Sequence, residues 1–109
     1  MSLSEGDMAF ARELFDDIPD LNTRRMFGGM GLYSGSTIFA VQLSDGRLML
    51  KAKGGFAKRM DALGGDEWTF ERKDGKQSAM PYWTLPDATL DNPQVACALA
   101  REALDALTS

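Results

Sequence analysis

The sequence predicts a two-layer α+β domain in which helices cover one face of a five-stranded antiparallel sheet, in the order α-β-β-β-α-β-β-α. Three observations lead to this prediction. Apolar residues recur at helical spacing near both ends of the chain, and short β-like segments separated by turn residues fill the middle. The length of 109 residues suits one domain spanning 1–109.

The first and last elements are predicted to be amphipathic helices. For the helix at residues 5–18, Ser4 caps the start and Pro19 ends the helix because it lacks a backbone N–H. The apolar residues at helical spacing are Met8, Ala11, Leu14, Phe15 and Ile18. The final helix begins after Asn92, a good cap, with Pro93 at the first position. Its predicted buried face consists of Val95, Ala96, Leu99, Ala100, Ala103, Ala106 and Leu107.

Three strands are predicted between these helices, at Met30–Tyr33, Thr37–Leu43 and Arg47–Lys53. The dipeptide Asp45-Gly46 favours a tight turn before the third strand. Alternation in that strand places Leu48, Leu50 and Ala52 on one face and Arg47, Met49, Lys51 and Lys53 on the other. The face that the helices leave open is predicted to include Ile38, Ala40 and Met49.

A short helix and a second hairpin complete the predicted fold. The helix has Phe56, Met60 and Leu63 on one face and ends at Gly64-Gly65. The hairpin pairs residues 68–72 with residues 77–83, and its large aromatics are expected in the core: Trp68, Phe70, Tyr82 and Trp83. Alternation sends Tyr82 and Trp83 to opposite faces, so an exposed member of this pair would be a candidate interface anchor.

Composition argues against catalysis. The chain has no His, which excludes Ser-His-Asp and Cys-His relays and His-ligated metal sites. It has one Cys, so neither an intramolecular disulfide nor a thiolate-rich zinc site can form. Cys97 lies at the edge of the apolar face of the last helix, where a packing role is expected. We therefore predict no catalytic residue, no cofactor, no metal and no enzymatic activity.

Charge is unevenly distributed along the chain. Twelve basic against sixteen acidic residues give a net charge of −4. Residues 1–20 carry −5, residues 21–80 carry +4 and residues 81–109 carry −3. The basic middle segment is compatible with an anionic partner, although its charges could also pair within the chain.

No targeting or membrane-spanning pattern is present in the sequence. The first ten residues lack a basic segment followed by an apolar core, and the longest apolar runs fall far short of the ~20 residues that cross a bilayer. With a single Cys, these features predict a cytoplasmic protein that does not associate with membranes.

The most distinctive stretch is Arg24-Arg25-Met26-Phe27-Gly28-Gly29-Met30-Gly31-Leu32-Tyr33. Together with Phe70-Glu71-Arg72-Lys73 and Tyr82-Trp83-x-Leu85-Pro86, it resembles the N-terminal domain family of TfoX/Sxy, over about Phe10 to Leu107. That resemblance implies an α+β fold and a link to bacterial regulators of natural competence, which act on promoters beside the cyclic-AMP receptor protein. Such regulators resemble two-domain proteins with a helical second domain, whereas this sequence ends after its last predicted helix.

The glycines of this stretch have two interpretations. A phosphate-binding loop needs a strand before the glycines and a helix after them, whereas here a strand follows. Gly28, Gly29 and Gly31 are therefore predicted to serve a tight turn or bulge and close packing of the backbone.

The basic residues of the middle segment also have two interpretations. If their segment is extended, Arg24 and Arg25 point to opposite faces, so at most one is buried or paired and the other is available to a partner. Their role is either a structural ion pair, with Asp16, Asp17 or Asp20, or a binding contact. Arg47, Met49, Lys51 and Lys53 form either the solvated face of a half-buried sheet or a basic platform. A nucleic-acid platform normally adds exposed aromatics, and none interrupts this strand.

Taken together, these features predict a non-enzymatic protein-interaction module in bacterial transcription regulation, with a protein partner that could belong to the transcription machinery. The alternatives are direct binding of nucleic acid through the basic middle segment, and a small-molecule binder or enzyme of unknown class. A homodimer through the open sheet face is also expected. The candidate interaction residues are Arg24, Arg25, Arg47, Lys51, Lys53, Tyr82 and Trp83.

Overall fold

The structure is a computed structural model that describes residues 3–26 and 28–108. Phe27 and the side chains of Phe70 and Glu71, which belong to the motifs above, lie outside the described part. The α+β prediction is confirmed. The elements are α1 (Glu5–Leu14), β1 (Leu21–Met26), β2 (Gly29–Ser34), β3 (Thr37–Gln42), β4 (Leu48–Lys51), α2 (Gly54–Ala62), β5 (Glu67–Glu71), β6 (Gln77–Thr84), a 3₁₀ turn (Asp87–Thr89) and α3 (Pro93–Thr108).

Over the described residues the sheet has six antiparallel strands in the order β1-β2-β3-β4-β6-β5. The prediction of five strands was therefore one short, because β1 was not recognised. Its residues include Asn22, Arg24 and Arg25, which have a weak β-pattern, and β1 lies at the edge of the sheet, where charged side chains are common.

The first helix is capped as predicted but ends four residues early. The Ser4 hydroxyl accepts a hydrogen bond from the backbone N–H of Asp7 at 3.1 Å. Beyond Leu14 the backbone tightens, and the N–H of Ile18 donates to the carbonyl of Phe15 at 3.0 Å. This bond spans three residues, whereas the hydrogen bonds of an α-helix span four, so the α-helix has ended. Ile18 is nevertheless buried, which is why its spacing suggested a longer helix.

The main core lies between the three helices and one face of the sheet. Phe15 and Phe39 meet edge to face with ring centres 5.5 Å apart, and Leu50 is fully buried beside them. The Cys97 thiol donates to the carbonyl oxygen of Leu14 at 3.3 Å, and burial raises the pKa of that thiol. The predicted packing role of Cys97 is therefore confirmed.

Two residues predicted to be buried are exposed. Leu63 is 42% exposed because it caps the C-terminal end of α2, where it lines a surface groove with Val95 of α3. Val95 is 43% exposed because the buried face of α3 centres on Ala96, Ala100 and Ala103. Successive helical residues are about 100° apart, which leaves Val95 at the margin of that face.

A bulge in β3 changes which residues share a face. The register shifts so that Leu32 lies opposite Ala40 while Tyr33 lies opposite Ile38, which leaves Phe39 as an extra residue. Ala40 consequently points to the helix side and is fully buried there, and its predicted place on the open face was wrong. Ile38 remains on the opposite side.

Candidate functional site

The helices leave one face of the sheet uncovered, and we call this the open face. Its side chains are those that the strand register points away from the helices. The open face includes Asn22, Arg24, Met26, Gly29, Gly31, Tyr33, Ile38, Val41, Met49, Lys51, Trp68, Met80, Tyr82 and Thr84.

The motif at residues 24–33 supplies the first two strands of the open face. Because side chains alternate along a strand, every second motif residue points to this side. Arg24 lies opposite Gly31 and Met26 lies opposite Gly29, across the β1–β2 pair. The motif therefore provides side chains of the open face in addition to the turn between β1 and β2.

The glycines of the motif allow close approach, as predicted. Gly28 turns the chain between β1 and β2 with a φ of 78°, which favours glycine. A Cβ on Gly29 would overlap with the backbone carbonyl oxygen of Gln42. A Cβ on Gly31 would lie 2.8 Å from the terminal methyl group of Met26, so Gly31 leaves room for that side chain.

A small apolar cluster lies on the open face, separate from the main core. Val41, Met49 and Tyr82 are buried, at 5%, 2% and 7% exposure. The partly buried residues around them are Ile38, Leu43, Trp68 and Met80. The prediction that Met49 lies on a solvated strand face was wrong, because these neighbours across the strands cover it.

A groove of about 430 Å³ crosses the open face. Its volume is within the range of about 300–1,000 Å³ that is usual for ligand sites. The walls are mainly apolar and include Met26, Ile38, Val41, Trp68 and Met80, while Asp45 and Arg47 lie at its polar margin. The side chains suit a partner with large apolar groups and leave few polar groups for orienting a reaction.

Asp45 and Arg47 form an ion pair at this margin. Arg47 Nε lies 2.9 Å from Asp45 Oδ2, and the backbone N–H of Arg47 donates to Asp45 Oδ1 at 3.0 Å. The hydrogen bond from that N–H and, to a smaller extent, the guanidinium lower the pKa of Asp45. Both side chains are more than half exposed, so the pair adds little stability.

Arg24 and Arg25 point to opposite faces of β1, as predicted. The guanidinium of Arg24 lies 5.4 Å from the centre of the Tyr33 ring, on the open face. Arg25 lies opposite Met30, whose side chain belongs to the main core, and is therefore on the helix side. Among the described side chains neither arginine forms an ion pair, so the predicted pairing with Asp16, Asp17 or Asp20 is absent.

The other predicted residues divide between the two faces. Lys51 lies opposite Tyr82 on the open face, whereas Trp83 lies opposite Leu50 and packs against the main core. Tyr82 and Trp83 thus point to opposite sides as expected, but neither is fully exposed. Lys53 is exposed and lies just before α2, outside both sets. Burial, and secondarily the Tyr33 phenol, raises the pKa of Tyr82.

Sequence reasoning missed the apolar residues of the groove, above all Met26, Met80 and Val41. The available signal was the alternation of Gly29 and Gly31, since two side-chain-free positions on one strand face create a depression beside longer neighbours. The glycines predict a groove only when β1 is recognised as the neighbouring strand, because β1 carries Met26, which fills part of that depression.

The described residues show two further absences. No cluster of three or more His, Cys, Asp or Glu residues is arranged to hold a metal ion in the described part of the chain. None of the helices described has the length and apolar character required to span a bilayer.

Comparison with known proteins supports the resemblance seen in the motifs. The family model of the TfoX N-terminal domain matches residues 13–107, which is nearly the whole chain. No curated protein matches the sequence at a significant level. The match includes the motif residues that form β1 and β2 and the hairpin strand that carries Tyr82. The chain therefore belongs to the TfoX N-terminal domain family.

Proposed function

We propose that this chain is a competence-regulator-like, non-enzymatic module that binds a protein partner through the open face, in the cytoplasmic control of bacterial transcription. The observation that carries the proposal is the apolar groove, which crosses the one sheet face that the helices do not cover. Membership of the TfoX N-terminal domain family supports the regulatory part.

The composition of the groove favours a protein surface as its ligand. Met26 and Met80 line it, and methionine side chains are flexible enough to adapt to irregular apolar partners. Trp68 and Tyr82 lie edge to face with ring centres 6.1 Å apart, and such aromatic residues are common anchors of interfaces. Together they give the open face an apolar centre, as in many protein interfaces.

A non-enzymatic role is supported by the chemistry of the chain. There is no His to act as a general base near neutral pH. The one thiol, Cys97, is buried in the main core and its pKa is raised, both of which oppose formation of a reactive thiolate.

Affinity capture from the native cell, with quantitative mass spectrometry, tests this proposal. The groove variant Met80→Asp is compared with Phe10→Asp, which places the same charge on an exposed apolar residue of α1 that lines neither groove. We expect wild type and Phe10→Asp to recover the same partner and Met80→Asp to lose it. Equal recovery by both variants, with both shown to be folded by circular dichroism, would contradict binding through the groove.

A further inference from the structure

We propose that the partner segment held by the open face is an acidic, amphipathic peptide whose apolar side chains enter the groove and whose carboxylates meet Arg24 and Lys51. This inference rests on the proposed function, since it assigns a chemical class to the partner of that same face. It follows from the charges of the open face and of the rest of the chain.

Cations outnumber carboxylates among the described charged side chains of the open face and its groove. They are Arg24 on β1, Lys51 on β4 and Arg47 beside the groove, against the single carboxylate of Asp45. Asp45 is already paired with Arg47. Arg24 and Lys51 make no ion pair with any described side chain, so their charges remain available to a partner.

The two available cations lie on different strands of the open face, and part of the apolar cluster lies beyond Lys51, on β6 and β5. Arg24 is aligned through Gly31 with Val41 and Met49, along one row of the sheet. Lys51 lies three strands from Arg24, next to Tyr82. Strands are about 4.8 Å apart, so the two cations are separated by roughly 15 Å across the sheet. A peptide that crosses the open face from β1 towards β5 would therefore pass both cations.

The charge of the remainder of the chain favours this orientation. The chain carries a net charge of −4, so its excess acidity lies away from the open face, and residues 1–20, which contain α1, carry −5. An acidic segment is repelled by that surface and attracted to the open face, which directs the encounter.

Two other occupants fit the same charges less well. A second copy of the chain docked with the open faces together would bring Arg24 and Lys51 of one copy towards those of the other, which is unfavourable. Nucleic acid needs many cations for its phosphates, whereas the centre of the groove consists of apolar side chains and the chain as a whole is acidic.

Fluorescence anisotropy with synthetic probes tests the inference. The first probe is a labelled peptide in which Asp alternates with Leu and Phe. The second has Lys in place of every Asp, and the third has Ser in place of every Leu and Phe. A single-stranded oligonucleotide is the fourth probe, and sedimentation equilibrium of the chain alone measures self-association. We expect only the first peptide to bind, with an affinity that falls as salt is added.

Charge reversal then locates the contact. The double variant Arg24→Glu with Lys51→Glu should weaken binding of the acidic peptide at least about tenfold. The matched double variant Arg25→Glu with Lys58→Glu reverses two exposed cations that lie on the helix side and on α2, and should change the affinity less than about twofold.

Several outcomes would overturn the inference. These are equal binding of the lysine peptide, tighter binding of the oligonucleotide, a dimer that excludes the acidic peptide, or equal weakening by the control variant. If the acidic peptide does not bind while cellular capture still depends on Met80, the inference fails and the proposed function stands. If capture is also independent of Met80, both fail.

Discussion

The two faces of the sheet differ in how much their residues contribute to the stability of the fold. Two neighbouring residues of β4 illustrate the difference. Leu50 on β4 points to the helices and is fully buried in the main core. Met49, the preceding residue, points to the open face and is buried only by a small cluster of strand neighbours. Packing in the main core is thus sufficient to explain the residues on the helix side. The open face has a groove and cations that do not contribute in this way to the stability of the fold.

This difference indicates where function is to be sought in the molecule. Buried apolar side chains on the helix side give up water and gain close packing, which is sufficient reason for their presence. Arg24 and Lys51 gain little from their positions, since no described side chain forms an ion pair with them. The motif residues of β1 and β2 belong largely to the open face. The family motif therefore lies where packing in the main core does least to explain which residues are present.

The largest expected effect is on the helix side. Leu50→Ala should lower the free energy of unfolding by about 2–5 kcal/mol, because it removes a fully buried side chain and leaves a cavity. Met80→Ala, on the partly buried wall of the groove, should cost about 1 kcal/mol or less. Urea unfolding of both variants measures the difference. Equal losses would mean that the open face is as important to stability as the main core.

The next effect separates two glycines of the open face. Gly29→Ala should destabilise by about 1–3 kcal/mol, because the added methyl group overlaps with a backbone carbonyl that cannot move freely. Gly31→Ala should cost less, because the methyl group would crowd only side-chain atoms of Met26, Tyr33 and Ile38, and the nearest is the flexible end of Met26. Thermal unfolding compares the two, and a larger loss in Gly31→Ala would contradict the close approach at Gly29.

Alkaline pH should weaken both faces in turn. Burial raises the pKa of Cys97 above its ordinary 9.0 and that of Tyr82 above its ordinary 10.0. A raised pKa means that the folded state holds its proton while the unfolded state releases it, so stability is complete below these values and falls as pH rises through them. In unfolding experiments from pH 8 to 11, Cys97→Ala should remove the earlier loss and Tyr82→Phe the later one. A loss that is unchanged in both variants would contradict this assignment.

The smallest effect on stability is expected at the two adjacent arginines. Arg24→Ala and Arg25→Ala should each change the free energy of unfolding by about 0.5 kcal/mol or less, since both side chains are exposed. Urea unfolding checks this expectation. A large loss in Arg24→Ala alone would show that its contact with the Tyr33 ring supports the fold, and would weaken the argument for a partner.

Much of the fold could be predicted from periodicity and turn chemistry. The Ser4 cap, the Asp45-Gly46 turn and the apolar alternation around Leu50 each determine local structure within a few residues. The bulge at Phe39 could not be predicted in this way, because an extra residue in one strand depends on its pairing with the next. It reversed the predicted orientation of Ala40.

The site was less accessible to sequence reasoning than the fold. The opposite orientations of Arg24 and Arg25 followed from alternation alone. The groove did not, because it depends on the order β1-β2-β3-β4-β6-β5, which brings Met26 and Trp68 onto one face although they are far apart in sequence. The burial of Met49 likewise depends on contacts between strands that alternation does not specify.

Methionine methyl NMR tests the central claim most directly, because this chain has methionines on both faces. Met26 and Met80 line the groove, while Met8 and Met60 are buried among the helices. With ¹³C-labelled methyl groups and the partner recovered by capture, the account predicts that the signals of Met26 and Met80 shift or broaden on binding. Those of Met8 and Met60 should stay in place. Changes confined to Met8 and Met60 would contradict the assignment of the open face as the binding surface.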